Sequence, residues 1–188
     1  MGKLIEATHV ALGGEQGDNA WARPYLDEEH QAYAGALLDA ADSLLLGRAT
    51  YEGLSAAYTA MAEHQSGPPT DFDRFVARMN ELPKVVASTT LRGRTDLAWN
   101  ARVLDGDVAD RVAELKRDRT LLKYGDGRLG ATLARHNLID EYHLFLTPVA
   151  IGAGKKQLFA DVDWAPHLAL LDVTRFASGV VVLVYGPK

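Results

Sequence analysis

The apolar positions of this chain fall into short runs separated by polar or glycine-rich breaks, and the spacing within each run predicts an element. Leu4 to Leu12 reads as a first strand that stops at Gly13-Gly14, and Gly13 to Pro24 as a long polar loop of the kind that often serves as a lid or binding segment. Asp27 stands where a helix cap is expected, and beyond it Tyr33, Leu37 and Ala41 fall four apart with Ala34 and Leu38 beside them, so one stripe can pack on a sheet. Leu44, Leu45 and Leu46 lack polar alternation, which predicts a short strand covered on both faces and ended by Gly47. Tyr51 to Arg78 is helical in character but broken by SGPPT at Ser66 to Thr70, so a second helix starts near Asp71.

From Pro83 onward the alternation becomes regular. Lys84 to Ala87 and Ala101 to Leu104 predict strands, Asp107 caps a helix carrying Val108, Val112 and Leu115, and Thr120 to Tyr124 predicts another strand. A helix with Leu129 and Leu133 follows and stops at Asn137. Tyr142 to Val149, His167 to Phe176 and Val180 to Tyr185 then read as strands joined only by loops or turns, with Ala177-Ser178-Gly179 as a hairpin turn. Alternating β and α units followed by a β-only tail predict an α/β fold whose mixed sheet ends in an antiparallel edge.

Composition narrows the classes of function. The chain has 188 residues, 47% hydrophobic and 24% charged, which suits one globular domain over 1–188. Twenty basic residues against 25 acidic give a net charge of −5 without a long run of either sign, so neither nucleic acid nor an anionic membrane is an expected partner. The absence of cysteine excludes disulfides, thiolate metal sites and cysteine nucleophiles. With no apolar run near the roughly 20 residues that span a bilayer and no apolar signal core at the start, a cytoplasmic location is expected.

The chemistry gathers at predicted strand ends. Gly47 lets a backbone approach a ligand, Arg48 offers a forked cation, and Thr50 adds a hydroxyl beside free helix amides; either this is a phosphate site or Arg48 makes a surface ion pair. Ser88, Thr89 and Thr90 place hydroxyls after the next strand. Gly125 to Gly130 satisfies G-x-G-x-x-G between a strand and a helix, but several strands precede it and Asp140-Glu141 start the next strand, which argues against an ordinary Rossmann domain. Either it cradles a pyrophosphate or its glycines merely allow close helix packing. Pro148, Gly152, Gly154 and Lys155-Lys156 form either a phosphate-reaching loop or a solvated turn. No H-E-x-x-H spacing occurs, so no metal is expected, and no G-x-S-x-G elbow is present.

LLLGRATYE, VVAST, the block LLKYGDGRLGATLARHNLIDEYHLFLTPVAIGAGKKQLF and the closing FASGVVVLVY resemble, in order and over nearly the whole chain, the dihydrofolate-reductase-like superfamily. Within it they are most similar to the C-terminal reductase domain of the bifunctional riboflavin-biosynthesis deaminase-reductase and its stand-alone relatives. The resemblance implies a three-layer fold with a mixed, mainly parallel eight-stranded sheet, NADPH as hydride donor, a pteridine- or pyrimidine-like substrate and a homodimer. By the same resemblance Gly47, Arg48 and Thr50 hold cofactor phosphates. Ser88, Thr89 and Thr90 lie by the adenosine and 2′-phosphate end, and Gly125, Asp126, Gly127, Arg128 and Leu129 cover the pyrophosphate.

The catalytic acid departs from the pattern. Single-domain relatives often read S-L-D-G where this chain has Ala11-Leu12-Gly13-Gly14, which removes both the serine and the aspartate. Asp18 and Asp27 are the nearest replacements, and Trp21 to Asp27 resembles, with one extra residue, the W-x-x-P-x-D of dihydrofolate reductase. Asp27 is then either the catalytic proton donor or a helix cap. The alternative function is a nucleotide-binding or interaction protein that keeps the fold without the hydride chemistry.

Overall fold

In the computed structural model, which describes residues 2–17, 19–64, 68–152 and 156–188, the elements follow the predicted order. They are β1 (Leu4–Ala11), β2 (Glu15–Gln16), a 3-10 stretch (Asn19–Tyr25), α1 (Glu28–Asp39), β3 (Ser43–Gly47), α2 (Arg48–Glu63), α3 (Asp71–Glu81) and β4 (Lys84–Ala87). Then come β5 (Ala101–Val103), α4 (Val108–Leu115), β6 (Leu121–Tyr124), α5 (Arg128–Arg135), β7 (Glu141–Thr147), β8 (Lys156–Gln157), β9 (Leu168–Arg175) and β10 (Val181–Pro187). Eight strands form one sheet in the order β5-β4-β3-β6-β1-β7-β10-β9. β3 pairs in parallel with β4 and β6, β4 with β5, and β1 with β7, whereas β10 is antiparallel to both β7 and β9. This is the mixed α/β sheet with an antiparallel C-terminal edge that the pattern predicts, mainly parallel and eight-stranded as the resemblance implies. No helix among the described residues is long and apolar enough to cross a membrane.

The chain divides into two compact units. In the first, Gln31–Leu122, the three leucines of β3 are 0% exposed, which is why that run carries no polar alternation. β3 is in register with β4 through Leu45↔Val85 and Leu46↔Val86. α3 starts on a capping box: the Thr70 hydroxyl accepts from the Asp73 amide at 3.1 Å, and the Asp73 carboxylate accepts from the Thr70 amide at 2.7 Å. Asp107 caps α4 as expected, accepting from the amides of Ala109 at 2.9 Å and Asp110 at 3.1 Å. Lys84, at the start of β4, is fully buried. Its Nζ donates to the Asn80 carbonyl at 2.8 Å and lies 4.1 Å from the centroid of the Trp99 ring.

The second unit combines Lys3–His30 with Lys123–Lys188. β1 runs beside β7 with Glu6↔Tyr142 and His9↔Phe145 in register. α5 ends as Asn137 requires: that residue has φ 52°, the Leu138 amide donates to the Leu133 carbonyl at 2.9 Å, and the Asn137 amide donates to the Ala134 carbonyl at 2.9 Å. The turn Ala177-Ser178-Gly179 joins β9 to β10, with Gly179 at φ 89°.

β10 lies between β7 and β9, with Val182 and Val184 buried, and the strand at the antiparallel edge is β9. One expectation needs correction here. The loop from Gly13 to Pro24 contains structure its polar composition hides. Glu15 and Gln16 pair antiparallel with Gln157 and Lys156 in a two-stranded ladder, and the 3-10 stretch follows. Two residues on each side are too few to leave a period in the sequence.

Candidate functional site

In the unit Gln31–Leu122 the G-R-x-T motif sits where β3 gives way to α2. Gly47 is the N-cap, in extended backbone at φ −76° and ψ 161°, and contributes no side-chain cap; no atom beyond its chain neighbours lies within 4 Å of where a Cβ would stand. The first amides of α2 therefore have no side-chain acceptor from their cap, in the direction where the helix dipole favours an anion. Arg48 is half exposed and pairs with Glu52 one turn on, 3.3 Å away. Such an i,i+4 pair is worth about 0.3–0.5 kcal/mol, so it holds Arg48 only weakly against a stronger anionic partner. Thr50 is half-buried on the first turn. After β4, the Ser88 hydroxyl accepts from the Leu91 amide and meets the Thr90 hydroxyl, both at 3.1 Å, while Thr89 and Thr90 are exposed.

In the second unit the glycine motif is a turn supported from below. Gly125 has φ 69°, the left-handed conformation that explains a glycine there, and its amide donates to the Ala7 carbonyl of β1 at 2.9 Å. Nothing lies within 4 Å of its absent Cβ. Gly127 caps α5 without a side-chain hydrogen bond, Arg128 is exposed and Leu129 half-buried. Asp126 turns one oxygen to the Gln16 side-chain amide at 3.0 Å and the Phe159 backbone amide at 2.8 Å. Gly130 serves packing: a Cβ there would stand 2.8 Å from the Asp126 Oδ1 and 2.9 Å from the Glu6 Oε2.

Under this turn lies an ion pair that the sequence reading missed. Lys123 Nζ on β6 meets Glu6 Oε2 on β1 at 2.7 Å, both side chains buried, and the same ammonium donates to the Gly125 carbonyl. Burial pushes the Glu6 carboxyl above its ordinary range, an effect that the neighbouring Lys123 only partly offsets. The signal was present in LIEATHV, where a glutamate interrupts a strand that would otherwise suit a fully covered position.

Asp27 adopts the capping alternative. Its Oδ1 accepts from the His30 amide at 2.9 Å, and that hydrogen bond holds the carboxyl below its usual range. Asp18, the other candidate acid, lies outside the described residues, as do Gly154 and Lys155; Lys156 pairs with Asp161. Glu15 was not considered as a replacement acid, yet it is buried in the ladder with its carboxyl packed against Gly13. A histidine pair was missed as well. His9 on β1 and His30 on α1 face each other with their Nε2 atoms 3.3 Å apart, rings 5.0 Å between centroids, against Phe145 and Phe176. Burial lowers the His9 pKa to about 4 and also lowers that of His30.

An eight-stranded sheet of this order, parallel except at its C-terminal edge and with glycine where β3 passes into α2 and β6 into α5, defines the dihydrofolate-reductase-like class. Residues 11–182 match the model of the RibD C-terminal domain, and the chain belongs to that family. A protein named YyaP from Bacillus subtilis, itself uncharacterized, is 29% identical over 150 residues, 79% of this chain and 75% of its own. Among solved structures, a putative riboflavin biosynthesis protein from Shewanella sp. PV-4 superposes with a TM-score of 0.66 at 18% identity, covering 99% of both chains. The deaminase/reductase of Thermotoga maritima gives 0.67 at 13% identity, with all of this chain matched to 57% of that one. Dihydrofolate reductase from Enterococcus faecalis, complexed with NADP(H), gives 0.60 at 14% identity over 99% of this chain and 96% of its own.

Proposed function

We propose that this chain is an NADPH-dependent reductase that delivers a hydride to a small heterocycle of the pteridine or pyrimidine type, comparable to the substrates of riboflavin-pathway and dihydrofolate reductases. The observation that carries the reading is that α2 and α5 both begin on a glycine with no side-chain cap, and that Gly47 and the turn glycine Gly125 have open space where a Cβ would project. At each of these helix starts, taken by itself, free backbone amides suit a phosphate. Gly47, Arg48 and Thr50 would hold phosphate, Ser88, Thr89 and Thr90 the adenosine end, and Gly125 to Leu129 the diphosphate. NADPH supplies the hydride when bound; the protein's part is to orient the acceptor and let a proton reach the atom beside the reduced carbon. Asp27, engaged at the amide of His30, is assigned the cap rather than the proton.

Arg48→Ala is expected to weaken NADPH binding about tenfold to a hundredfold and NADH binding much less, because a lost charged hydrogen bond of about 1.5–3 kcal/mol falls on the phosphate that only NADPH carries. Fluorescence titration of both cofactors measures it, and equal losses would remove Arg48 from the 2′-phosphate. A second reading, a nucleotide-binding protein without hydride chemistry, is favoured by Ala11 and Gly13 standing where relatives carry the serine and aspartate of S-L-D-G. NADPH binding without oxidation across a panel of pteridines and pyrimidines would select it.

We also propose a cytoplasmic homodimer. On the edge strand β9, Leu170, Leu171 and Val173 are 54%, 57% and 51% exposed, an apolar stretch that the monomer leaves uncovered beside a register shift in the β9–β10 pairing. Light scattering at micromolar concentration should give about twice the 20.4 kDa chain mass, and Leu171→Lys should shift it toward the monomer. A wild-type monomer would contradict the proposal.

A further inference from the structure

The His9 and His30 rings are part of one aromatic cluster. His9 stands two residues before the end of β1, opposite Phe145 on β7, and both strands run toward the sheet's carboxyl edge, where α/β proteins bind their ligands. Phe145 lies 5.0 Å from the His9 ring and 5.1 Å from the His30 ring, and Phe176 meets His30 edge-on at 6.5 Å. The Nε2 atoms of the two histidines share a single hydrogen bond at 3.3 Å, so one donates and the other accepts. His9 Nδ1 is buried and makes no hydrogen bond. If it carried the proton, an N–H would be buried with no acceptor; left bare, it is only an unused lone pair, and the proton sits on Nε2. His9 Nε2–H then donates, His30 Nε2 accepts, and the neutral His30 ring must carry its proton on Nδ1.

We propose, on the reductase reading above, that His9 is a positioning residue that locks this tautomer, and that the partly exposed His30 presents Nδ1–H as the hydrogen-bond donor to an acceptor atom, a ring nitrogen or carbonyl oxygen, of a flat heterocyclic substrate. The partly exposed His30 ring, backed by the buried Phe145, offers a flat face for such a heterocycle to stack on, and a single oriented donor in that setting sets its register. The inference assigns a polar group to the substrate side in a chain that lacks the serine and aspartate of S-L-D-G. No proton leaves His30 in this role, since a neutral imidazole donates a hydrogen bond without ionising. Asp27, Glu28 and Glu29 are the carboxylates near this end of α1. Asp27 accepts from the His30 amide and Glu29 from the Ala177 amide, and the nearby Asp27 charge partly offsets the effect of burial on the His30 ring.

The test is direct. In ¹⁵N-labelled protein at pH 7.5, long-range ¹H–¹⁵N spectra should show His30 as the Nδ1–H tautomer and His9 as Nε2–H, and His9→Phe should release His30 to the Nε2–H form that an unconstrained imidazole favours. His30 as Nε2–H in the wild type overturns the lock. Addition of pterin should then shift the His30 Nδ1 resonance. His30→Asn, whose side-chain amide places an N–H near the Nδ1 position, should hold pterin within about threefold of wild type, and His30→Phe should weaken it about tenfold, the loss expected for one neutral hydrogen bond. Equal losses in the two variants, or pterin binding with no change at Nδ1, overturn the substrate-facing role, and no pterin binding at millimolar concentration overturns the ligand class. Absence of NADPH oxidation alongside a locked tautomer and an Nδ1 response would count against the reductase reading alone.

Discussion

Lys123→Met is expected to destabilise the fold by about 3 to 5 kcal/mol at pH 7, a third or more of the stability of a typical domain. The reason is what it leaves behind. Glu6 is 0% exposed and its Oε2 meets the Lys123 ammonium at 2.7 Å, so removing the cation strands a carboxyl whose other oxygen already has no hydrogen bond. The Gly125 carbonyl loses its donor in the same step, so the turn loosens together with the strand pair. A compensated double variant, Glu6→Leu with Lys123→Met, should recover most of the loss, because two apolar groups of similar volume avoid the desolvation of both ions. Urea midpoints of the wild type, both single variants and the double close the cycle. A Lys123→Met loss below about 1 kcal/mol would mean that the pair is far better solvated than its burial implies.

The second large effect is a rise of stability with pH, traced to Lys84. Burial lowers its pKa from 10.5 to about 8, the Asn80 carbonyl and the Trp99 ring standing where water would otherwise solvate the ammonium. A lysine with a lowered folded pKa destabilises the folded chain while both states are protonated. Between about pH 8 and 10.5 the folded chain has released a proton that the unfolded chain still holds, so unfolding is opposed more strongly as pH rises. The shift corresponds to about 2 kcal/mol gained between pH 7 and 9.5, and Lys84→Met should abolish that gain while leaving the pH 7 midpoint unchanged or higher. The difference between the two proteins is the measure, because other groups titrate in both. Parallel curves would show that Lys84 keeps its proton, and that the ring and carbonyl fully replace its water.

These two lysines show where the amino-acid sequence is informative and where it is not. Leu44 to Leu46, the cap at Asp107 and the stop at Asn137 are local: each follows from the preferences of a few neighbouring residues, and the structure repeats them. The glycine and hydroxyl turns after β3, β4 and β6 are local as well, and they were legible as strand-end chemistry before any pairing was known. Lys84 and Lys123 looked like ordinary polar ends of strands, and only the neighbours supplied by Asn80, Trp99 and Glu6 make them buried charges. The His9 and His30 contact is equally non-local in origin, because it depends on which helix covers which face of β1. Which strand of the antiparallel tail stands at the edge is non-local too: Val180 to Val184 carries an apolar run in either position, and strand order is a property of the whole sheet.

The position of β1 between β6 and β7 has a consequence for how the chain is made. Lys123 follows Glu6 by 117 residues, and the β7 partners Tyr142 and His143 come later still. During synthesis at about 5–20 residues per second, the first strand emerges many seconds before either neighbour exists and has nothing native to pair with. An apolar strand waiting that long is an invitation to pair with other nascent chains. An ionised Glu6 in its midst acts as a gatekeeper during the wait, keeping LIEATHVA solvated until the ammonium arrives to neutralise it, and the cost that the buried carboxyl imposes on the finished fold is offset by a cleaner path to it.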